Sequence, residues 1–309
     1  MIEKLLKNQQ SQNSDNNTHI IVQEIFKLYM SQITSLRKLT FYQYRNVTFT
    51  FYPGSKDCLK NLSELYCSSN IYTEFFYQLS QICHNIQSLT IEFEESISNG
   101  LADLISVQKN LKYISIILYD YLENIPSLIK KLPNTLTKLN LYGYCQFISL
   151  SFITKFTNLQ ELELSIYCEE DFKDFEKLQY AIFPQLQILK IRLAYPKHEL
   201  LTKFLEINRR NLKELYLSDV YGYSDNSLNL AIAKFCPNLK TLSTRFKNNE
   251  SESLKIIIWC GGEYLNDKKA LEAFVKYSHK NIYDLRLYHH LFSNVRYKLL
   301  HPEELESFL

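Results

Sequence analysis

The chain has 309 residues, 46% of them hydrophobic, and its 35 Lys and Arg side chains nearly balance 33 Asp and Glu side chains. That much apolar material can form a sizeable core, in one elongated domain or two ordinary ones. A formal charge of +2 without any run of five like charges argues against a nucleic-acid-binding surface. No segment has the about 18 consecutive apolar residues of a membrane helix, and no signal peptide is visible. We therefore expect a soluble cytoplasmic or nuclear protein with no nucleic-acid or membrane partner.

The N-terminal region is polar and then becomes helical in pattern. Residues 1–18 have little apolar surface to bury, and we expect them to be disordered. Residues 19–34 carry Ile21, Ile25, Leu28 and Tyr29 at helical spacing. This spacing predicts a capping helix over the first strand of a repeat domain that extends over 19–309.

A phrase of the form apolar-x-x-apolar-x-apolar recurs from residue 36 onward. Nine copies follow one another at steps of 23 to 27 residues, beginning at Leu36, Leu62, Ile86, Leu111, Leu136, Leu159, Leu186, Leu212 and Leu239. Two further copies begin at Leu254 and Ile282. The second and third apolar side chains are two residues apart, so they lie on one face of a short β-strand. Asn precedes seven copies and indicates a turn before the strand, because Asn tolerates left-handed and turn conformations.

Helical spacing separates these strands. Asp225 and Asp267 lie at N-cap positions before two of the predicted helices. A strand and a helix within 20 to 29 residues predict an α/β leucine-rich-repeat solenoid. This fold is a horseshoe with a parallel concave sheet, here of about eleven short strands, and convex helices. One repeat buries too little apolar surface to order about 25 residues, so the repeats must fold as an array.

The spacing becomes irregular near the C-terminus. The step from Leu239 to Leu254 is 15 residues, too short for a strand and a crossover helix. We predict an irregular unit there, with residues 245–251 as a loop. Gly261 and Gly262 are expected at a strand-to-helix turn, because no Gly-Lys-Ser/Thr follows them to form a phosphate loop.

The reactive residue types form no recognisable catalytic or metal-binding pattern. The seven cysteines include no Cys-x-x-Cys pair, so we expect reduced, buried thiols. Cys83 and His84 are adjacent and point apart, and His289 and His290 have no third ligand at metal-binding spacing. We therefore expect no catalytic residue, no cofactor and no metal site, and the chain is predicted not to be an enzyme.

The side chains that alternate with the strand leucines form the predicted concave surface. Tyr occurs at six of these positions, and Glu161 and Glu163 lie beside Lys190 and Arg192, which face Glu214. The charges can neutralise one another across strands or contact a partner, with Tyr and Arg as anchors; the two roles are compatible. The candidate partner-binding residues are Tyr113, Tyr142, Glu161, Glu163, Lys190, Arg192, Glu214, Tyr216, Arg245 and Arg286.

Residues 212–239, LKELYLSDVYGYSDNSLNLAIAKFCPNL, resemble the cysteine-containing leucine-rich repeat of F-box proteins, in which Cys-Pro-x-Leu closes a helix before the next strand. Residues 82–89 are a weaker copy, and the resemblance to fungal F-box-like proteins covers 19–309. It implies a non-catalytic module that recognises the substrate of a Skp1-cullin-F-box ubiquitin ligase, with a protein substrate on the concave face.

Two departures from that family are visible. The three-helix F-box, which would dock a Skp1-like adaptor, has no counterpart, because about 18 mostly polar residues precede the first helix. The usual Cys or Asn three positions after the last strand leucine is also replaced. An alternative is a leucine-rich-repeat regulator or scaffold without a ligase link, such as a small-GTPase regulator. Those proteins have repeats of about 29 residues, longer than the steps found here.

Overall fold

The computed structural model describes residues 14–41, 52–94, 96–119, 125–145, 148–172, 174–219, 226–247, 253–259, 284–291 and 294–299. The chain divides into two compact units, Met1–Thr135 and Leu136–Leu309. Within the described ranges, no helix combines the length and the apolar character needed to cross a membrane.

Strands and helices alternate along the first unit. The elements are α1 Ser14–Gln32, β1 Lys38–Phe41, α2 Ser55–Leu59, β2 Glu64–Ser68, α3 Thr73–Ile82, β3 Ser88–Phe93, α4 Asn99–Ser106, β4 Tyr113–Leu118 and α5 Ile125–Ile129. The strands pair in parallel in the order β1-β2-β3-β4. Helix α1 begins five residues before the predicted position, so residues 14–18 are helical and not disordered. Residues 1–13 of that predicted disordered segment lie outside the described residues.

The second unit begins with the same alternation and then changes. Its elements are β5 Lys138–Gly143, a 3₁₀ helix Leu150–Lys155, β6 Glu161–Ile166, a 3₁₀ helix Glu169–Phe172, α6 Phe175–Leu178, β7 Ile188–Leu193, α7 His198–Asn208, β8 Glu214–Asp219, α8 Asn226–Phe235, β9 Thr241–Lys247, β10 Ser253–Trp259, β11 Asp284–Leu291 and β12 Asn294–Leu299. Strands β5 to β9 pair in parallel. Strands β9 to β12 pair antiparallel.

The nine regularly spaced copies of the phrase all form parallel strands, four in the first unit and five in the second. This confirms the α/β class with parallel strands and is compatible with a solenoid. The expected count of about eleven parallel strands is wrong, because the copies at Leu254 and Ile282 form antiparallel strands. The five residues between β9 and β10 are too few for a parallel crossover, which needs a dozen or more. The predicted loop 245–251 is also wrong in part, because its first three residues belong to β9.

The strand leucines point into the core as their alternation predicts. Leu65, Leu89, Leu162 and Leu189, for example, are all buried. At the start of the first unit, Phe41 of β1 stacks on Phe75 of α3 with ring centroids 4.7 Å apart. The inward strand face therefore packs directly on helical side chains and removes apolar surface from water.

Helix α1 covers β1 with a different face from the predicted one. Phe26 contacts the Phe41 ring edge-on at 5.9 Å, and Met30 is buried. Ile21 and Leu28 of the predicted stripe are at least half exposed. The helix carries apolar residues on two sides, and the ring of Phe26 and the flexible Met30 fill the space against β1. The predicted capping helix is present, but its packing stripe is corrected.

The asparagines before the strands act through their side chains. Leu193 is the single non-glycine residue with positive φ in the described ranges, so, of the left-handed or turn conformation expected for these asparagines, only the turn is found there. In addition, four of these side chains donate to the preceding repeat. The pairs are Asn61 with Ser35 Oγ, Asn110 with Asn85 Oδ1, Asn211 with the Pro184 carbonyl, and Asn238 with the Arg210 carbonyl.

Candidate functional site

The side chains that alternate with the buried leucines on β5 to β8 form the outward face of the second unit. Strand register places them in three rows, because neighbouring strands lie about 4.8 Å apart and hold equivalent residues side by side. Row 1 contains Lys138, Glu161, Ile188 and Glu214; row 2 contains Asn140, Glu163, Lys190 and Tyr216; row 3 contains Tyr142, Ser165 and Arg192. Seven of the ten predicted site residues therefore lie on one surface.

Five charged residues of this face form a continuous chain of ion pairs, which we call the ion ladder: Lys138, Glu161, Lys190, Glu163 and Arg192. Lys138 Nζ lies 3.1 Å from Glu161, and Lys190 Nζ contacts Glu161 and also lies 3.5 Å from Glu163. Arg192 Nε lies 3.2 Å from Glu163. The predicted neutralisation between the Glu pair and the basic pair is therefore present, and it extends to Lys138.

The ladder shifts the titration of its central members. Burial opposes ionisation of Glu161, but hydrogen bonds from Lys190 and Lys138 and their positive charges outweigh it, so the pKa of this carboxyl is lowered. Burial likewise opposes the charge on Lys190, and contacts with Glu161 and Glu163 outweigh that effect and raise its pKa. The central pair therefore stays ionised at neutral pH.

Tyr216 connects the ladder to β8. Its hydroxyl donates to Glu214 Oε2 at 2.9 Å, and its ring centroid lies 5.9 Å from Lys190 Nζ. Burial and the negative charge of Glu214 raise the pKa of Tyr216 to about 12. The basic residues face Glu214 across the register of β7 and β8, as predicted, and their ion pairs among the described residues go to Glu161 and Glu163.

Three tyrosines form a cluster where β5 and β6 end. The hydroxyls of Tyr142 and Tyr167 are 2.5 Å apart, and their rings meet edge-on. The Tyr144 ring lies 4.9 Å from that of Tyr167. Only Tyr142 is at a predicted outward position, since the other two follow the strands and the alternation does not assign them. Their shared feature, a Tyr just past the phrase, is the sequence signal that was not used.

Three predicted site residues lie outside the outward face of β5 to β8. Tyr113 is half-buried on β4 of the first unit, where it is level with Ser88 of β3. The backbones of Arg245 and Arg286 lie in β9 and β11, opposite Lys255 and Ile257 of β10. The side chains of these two arginines lie outside the described part of the chain, as do Gly261 and Gly262.

Two buried amides, which the sequence reading missed, join consecutive repeats. Asn208 Oδ1 accepts from the backbone N–H of Phe183 at 2.7 Å, and its Nδ2 donates to the carbonyls of Ala181 and Phe204. Gln108 forms the same three kinds of bond with Ile86, Cys83 and Leu104 in the first unit. Each amide therefore ties the end of a helix to the preceding turn.

The cysteines of the described ranges are free thiols, as predicted. Five of the six are buried, and Cys168 is partly exposed. Burial is the main cause that raises the pKa of Cys83, Cys145 and Cys236 to about 12. His84 is exposed beside buried Cys83. Within the described ranges, no three His, Cys, Asp or Glu side chains converge as metal ligands would.

A cleft lies past the tyrosine cluster at the rim of the second unit. Its lining residues are Glu169, Glu170, Phe172, Glu176, Lys197 and Leu200. Phe172 is buried, whereas the three carboxylates are exposed. The rim beyond β6 is therefore acidic.

Comparisons with known proteins add a distant structural likeness. No protein-family model matches the chain, and no curated protein matches it. A chain in the crystal structure of the Rad7 and Elc1 complex in yeast is 16% identical, with a TM-score of 0.41, over 78% of this chain and 79% of that chain. A likeness at this level does not bear on the function of this protein.

Proposed function

We propose that this chain is a non-catalytic protein-interaction module, a leucine-rich-repeat solenoid whose outward, concave sheet face binds another protein. The observation that carries this proposal is the register of β5 to β8, which aligns the ion ladder, Tyr142 and Tyr216 on one surface. Tyr and Arg are the residue types that dominate binding energy at interfaces, because they bury large areas while keeping a polar group.

The chemistry of the thiols supports a binding role over a catalytic one. A cysteine nucleophile works as the thiolate and needs a lowered pKa and access to substrate. Cys83, Cys145 and Cys236 are buried and have raised pKa values. These thiols therefore serve packing.

The resemblance over 212–239 extends the proposal to a ubiquitin ligase. Cys236 is buried directly after helix α8, and its N–H donates to the Ile232 carbonyl, which suits a Cys-Pro-x-Leu helix end. By that resemblance, the chain is the substrate-recognition part of a Skp1-cullin-F-box ligase. The protein bound on the outward face would then be its substrate.

Site-specific photo-crosslinking tests the binding role. A benzophenone amino acid replaces Tyr216 on the outward face or, as a control, Tyr180, which is 61% exposed and follows α6. Protein crosslinks from position 216 with few from 180 are expected. Equal crosslinking from both positions would contradict binding through the outward face.

The ligase link needs its own measurement. The tagged full chain is purified from cells, and the co-purified proteins are identified by mass spectrometry. Recovery of a Skp1-like adaptor and a cullin together with the crosslinked protein would support the ligase role. Recovery of a crosslinked protein without the adaptor and the cullin would support the interaction module and contradict the ligase role.

A further inference from the structure

The three rows of the outward face differ in charge. Row 1 has the cation Lys138 and two carboxylates, Glu161 and Glu214, whereas row 2 has Glu163 and Lys190. The charged side chain of row 3 is Arg192. The face therefore runs from net negative in row 1 to net positive in row 3, so an anionic group is attracted to row 3.

Arg192 is one of the two exposed ends of the ion ladder, and it is the end in row 3. Its side chain is 48% exposed, compared with 20% for Lys190, which contacts both carboxylates. The ion pair of Arg192 uses Nε, which leaves the two terminal NH₂ groups of the guanidinium for another acceptor. Such a planar pair of donors suits a carboxylate.

A small side chain lies between two large ones in row 3: Ser165, which is 4% exposed, stands between Tyr142 on β5 and Arg192 on β7. We call this position the notch and Ser165 its floor. Tyr167, two residues further along from Ser165, contacts Tyr142 and completes the wall. Ser165 is small and almost fully buried. A small floor between large side chains leaves space for one side chain of a partner.

The acidic groups around the notch restrict what can enter it. Glu214 adds negative charge in row 1, and Glu169 and Glu170 line the cleft past Tyr167. A run of acidic residues crossing this face would meet these carboxylates on either side. A single carboxylate with apolar neighbours would meet Arg192, the Ser165 hydroxyl and the tyrosine rings.

We propose that the notch formed by Tyr142, Ser165, Tyr167 and Arg192 binds one Asp or Glu side chain of the partner protein, flanked by apolar or aromatic residues. This inference rests on the proposed function and assigns the chemistry that its outward face recognises. The carboxylate accepts hydrogen bonds from the Arg192 guanidinium and from Ser165. The flanking residues pack on the rings of Tyr142 and Tyr167.

Peptide display on the full-length folded chain tests the assignment. Phage carrying random 12-residue peptides are selected, and the enriched sequences are synthesised. A single Asp or Glu next to apolar residues is expected in them. Affinity should fall about tenfold or more in Arg192→Ala, because a desolvated charge pair is lost. It should fall similarly in Ser165→Val, which fills the notch.

Lys138→Ala provides the matched control. Lys138 also pairs with Glu161 at an end of the ion ladder and is 53% exposed, but it lies in row 1. Its removal should change affinity by less than about twofold, since it does not contact the notch. Circular dichroism and thermal unfolding check that every variant is folded.

A double-mutant cycle identifies the contact itself. Changing the peptide Asp to Asn should cost the same factor as Arg192→Ala, and the two losses should not add. Additive losses, enrichment of basic or polyacidic peptides, or no enrichment at all would overturn the inference. If crosslinks from position 216 are still found in that case, the proposed function stands and only the notch assignment is wrong.

Discussion

Replacing Asn208 by Ala removes the amide that joins helix α7 to the preceding turn. Three hydrogen bonds disappear: one accepted from Phe183 N–H at 2.7 Å, and one donated to each of the carbonyls of Ala181 and Phe204 at 3.0 Å. Asn208 is 5% exposed, so water has little access to the groups left behind. We expect a large loss of stability from a substitution that changes no charge.

The magnitude follows from what each group loses. The buried Phe183 N–H would have no partner, which costs about 1–3 kcal/mol, and the two hydrogen bonds to carbonyls contribute about 1 kcal/mol each. The expected loss is therefore about 3–5 kcal/mol, a large share of the 5–15 kcal/mol typical of a folded domain. Asn211→Ala is the matched control, because exposed Asn211 makes one bond to the Pro184 carbonyl. It should cost about 1 kcal/mol or less.

Two measurements check this prediction. Urea denaturation followed by circular dichroism gives the free energy of unfolding, with each unit fitted separately if two transitions are seen. Hydrogen exchange of the peptide covering 179–187 should become faster in Asn208→Ala and stay unchanged in Asn211→Ala. Equal losses in the two variants would refute the role of the buried amide. Gln108→Ala should reproduce the effect in the first unit.

Gly100→Ala should lower stability by about 1–3 kcal/mol in thermal unfolding, because its new Cβ would lie 2.3 Å from the Thr73 carbonyl and separate α4 from α3; an unchanged midpoint would contradict this close approach. The lowered pKa of Glu161 stabilises the protein above the unfolded value of about 4.3, and this stability is lost as pH falls through the folded value. The wild type should therefore lose about 1 kcal/mol more than Glu161→Gln between pH 5 and 3 in urea titrations; equal losses would contradict the ladder. Alkylation at pH 8, followed for each cysteine by mass spectrometry, should modify partly exposed Cys168 faster than buried Cys67. Equal rates for the two thiols would contradict the burial of Cys67.

The local alternation of apolar residues predicted the strands and the direction of their side chains. Leu162 and Leu189 are buried, and Glu161 and Lys190 alternate with them on the other face, as the phrase requires. The same alternation serves parallel and antiparallel strands, because side chains repeat every two residues in both. The direction of β10 followed instead from the length of its connection to β9.

The spacing of apolar residues along the sequence could not predict the side-chain contacts between repeats. Asn208 and Gln108 make equivalent hydrogen bonds in two repeats. They differ in residue type and in their distance from the following phrase, so no conserved position of the repeat identifies them in the sequence. The tyrosine cluster joins Tyr142 of β5 to Tyr167, 25 positions further along, and Tyr144 and Tyr167 lie beyond the strand ends. Helix α1 has apolar residues on two sides, and contact with Phe41 decided which side is buried.

The sequence alone determined the repeat, the parallel pairing of its nine regularly spaced copies, the buried leucines and the surface on which charges and tyrosines alternate with them. These features depend on side-chain periodicity, and periodicity is a property of neighbours in the chain. Only the tertiary structure decided that Lys190 contacts two carboxylates, that Arg192 stays exposed, and that Ser165 forms a floor between Tyr142 and Arg192. Those facts depend on how equivalent positions of successive repeats are brought side by side, which strand register sets through backbone hydrogen bonds.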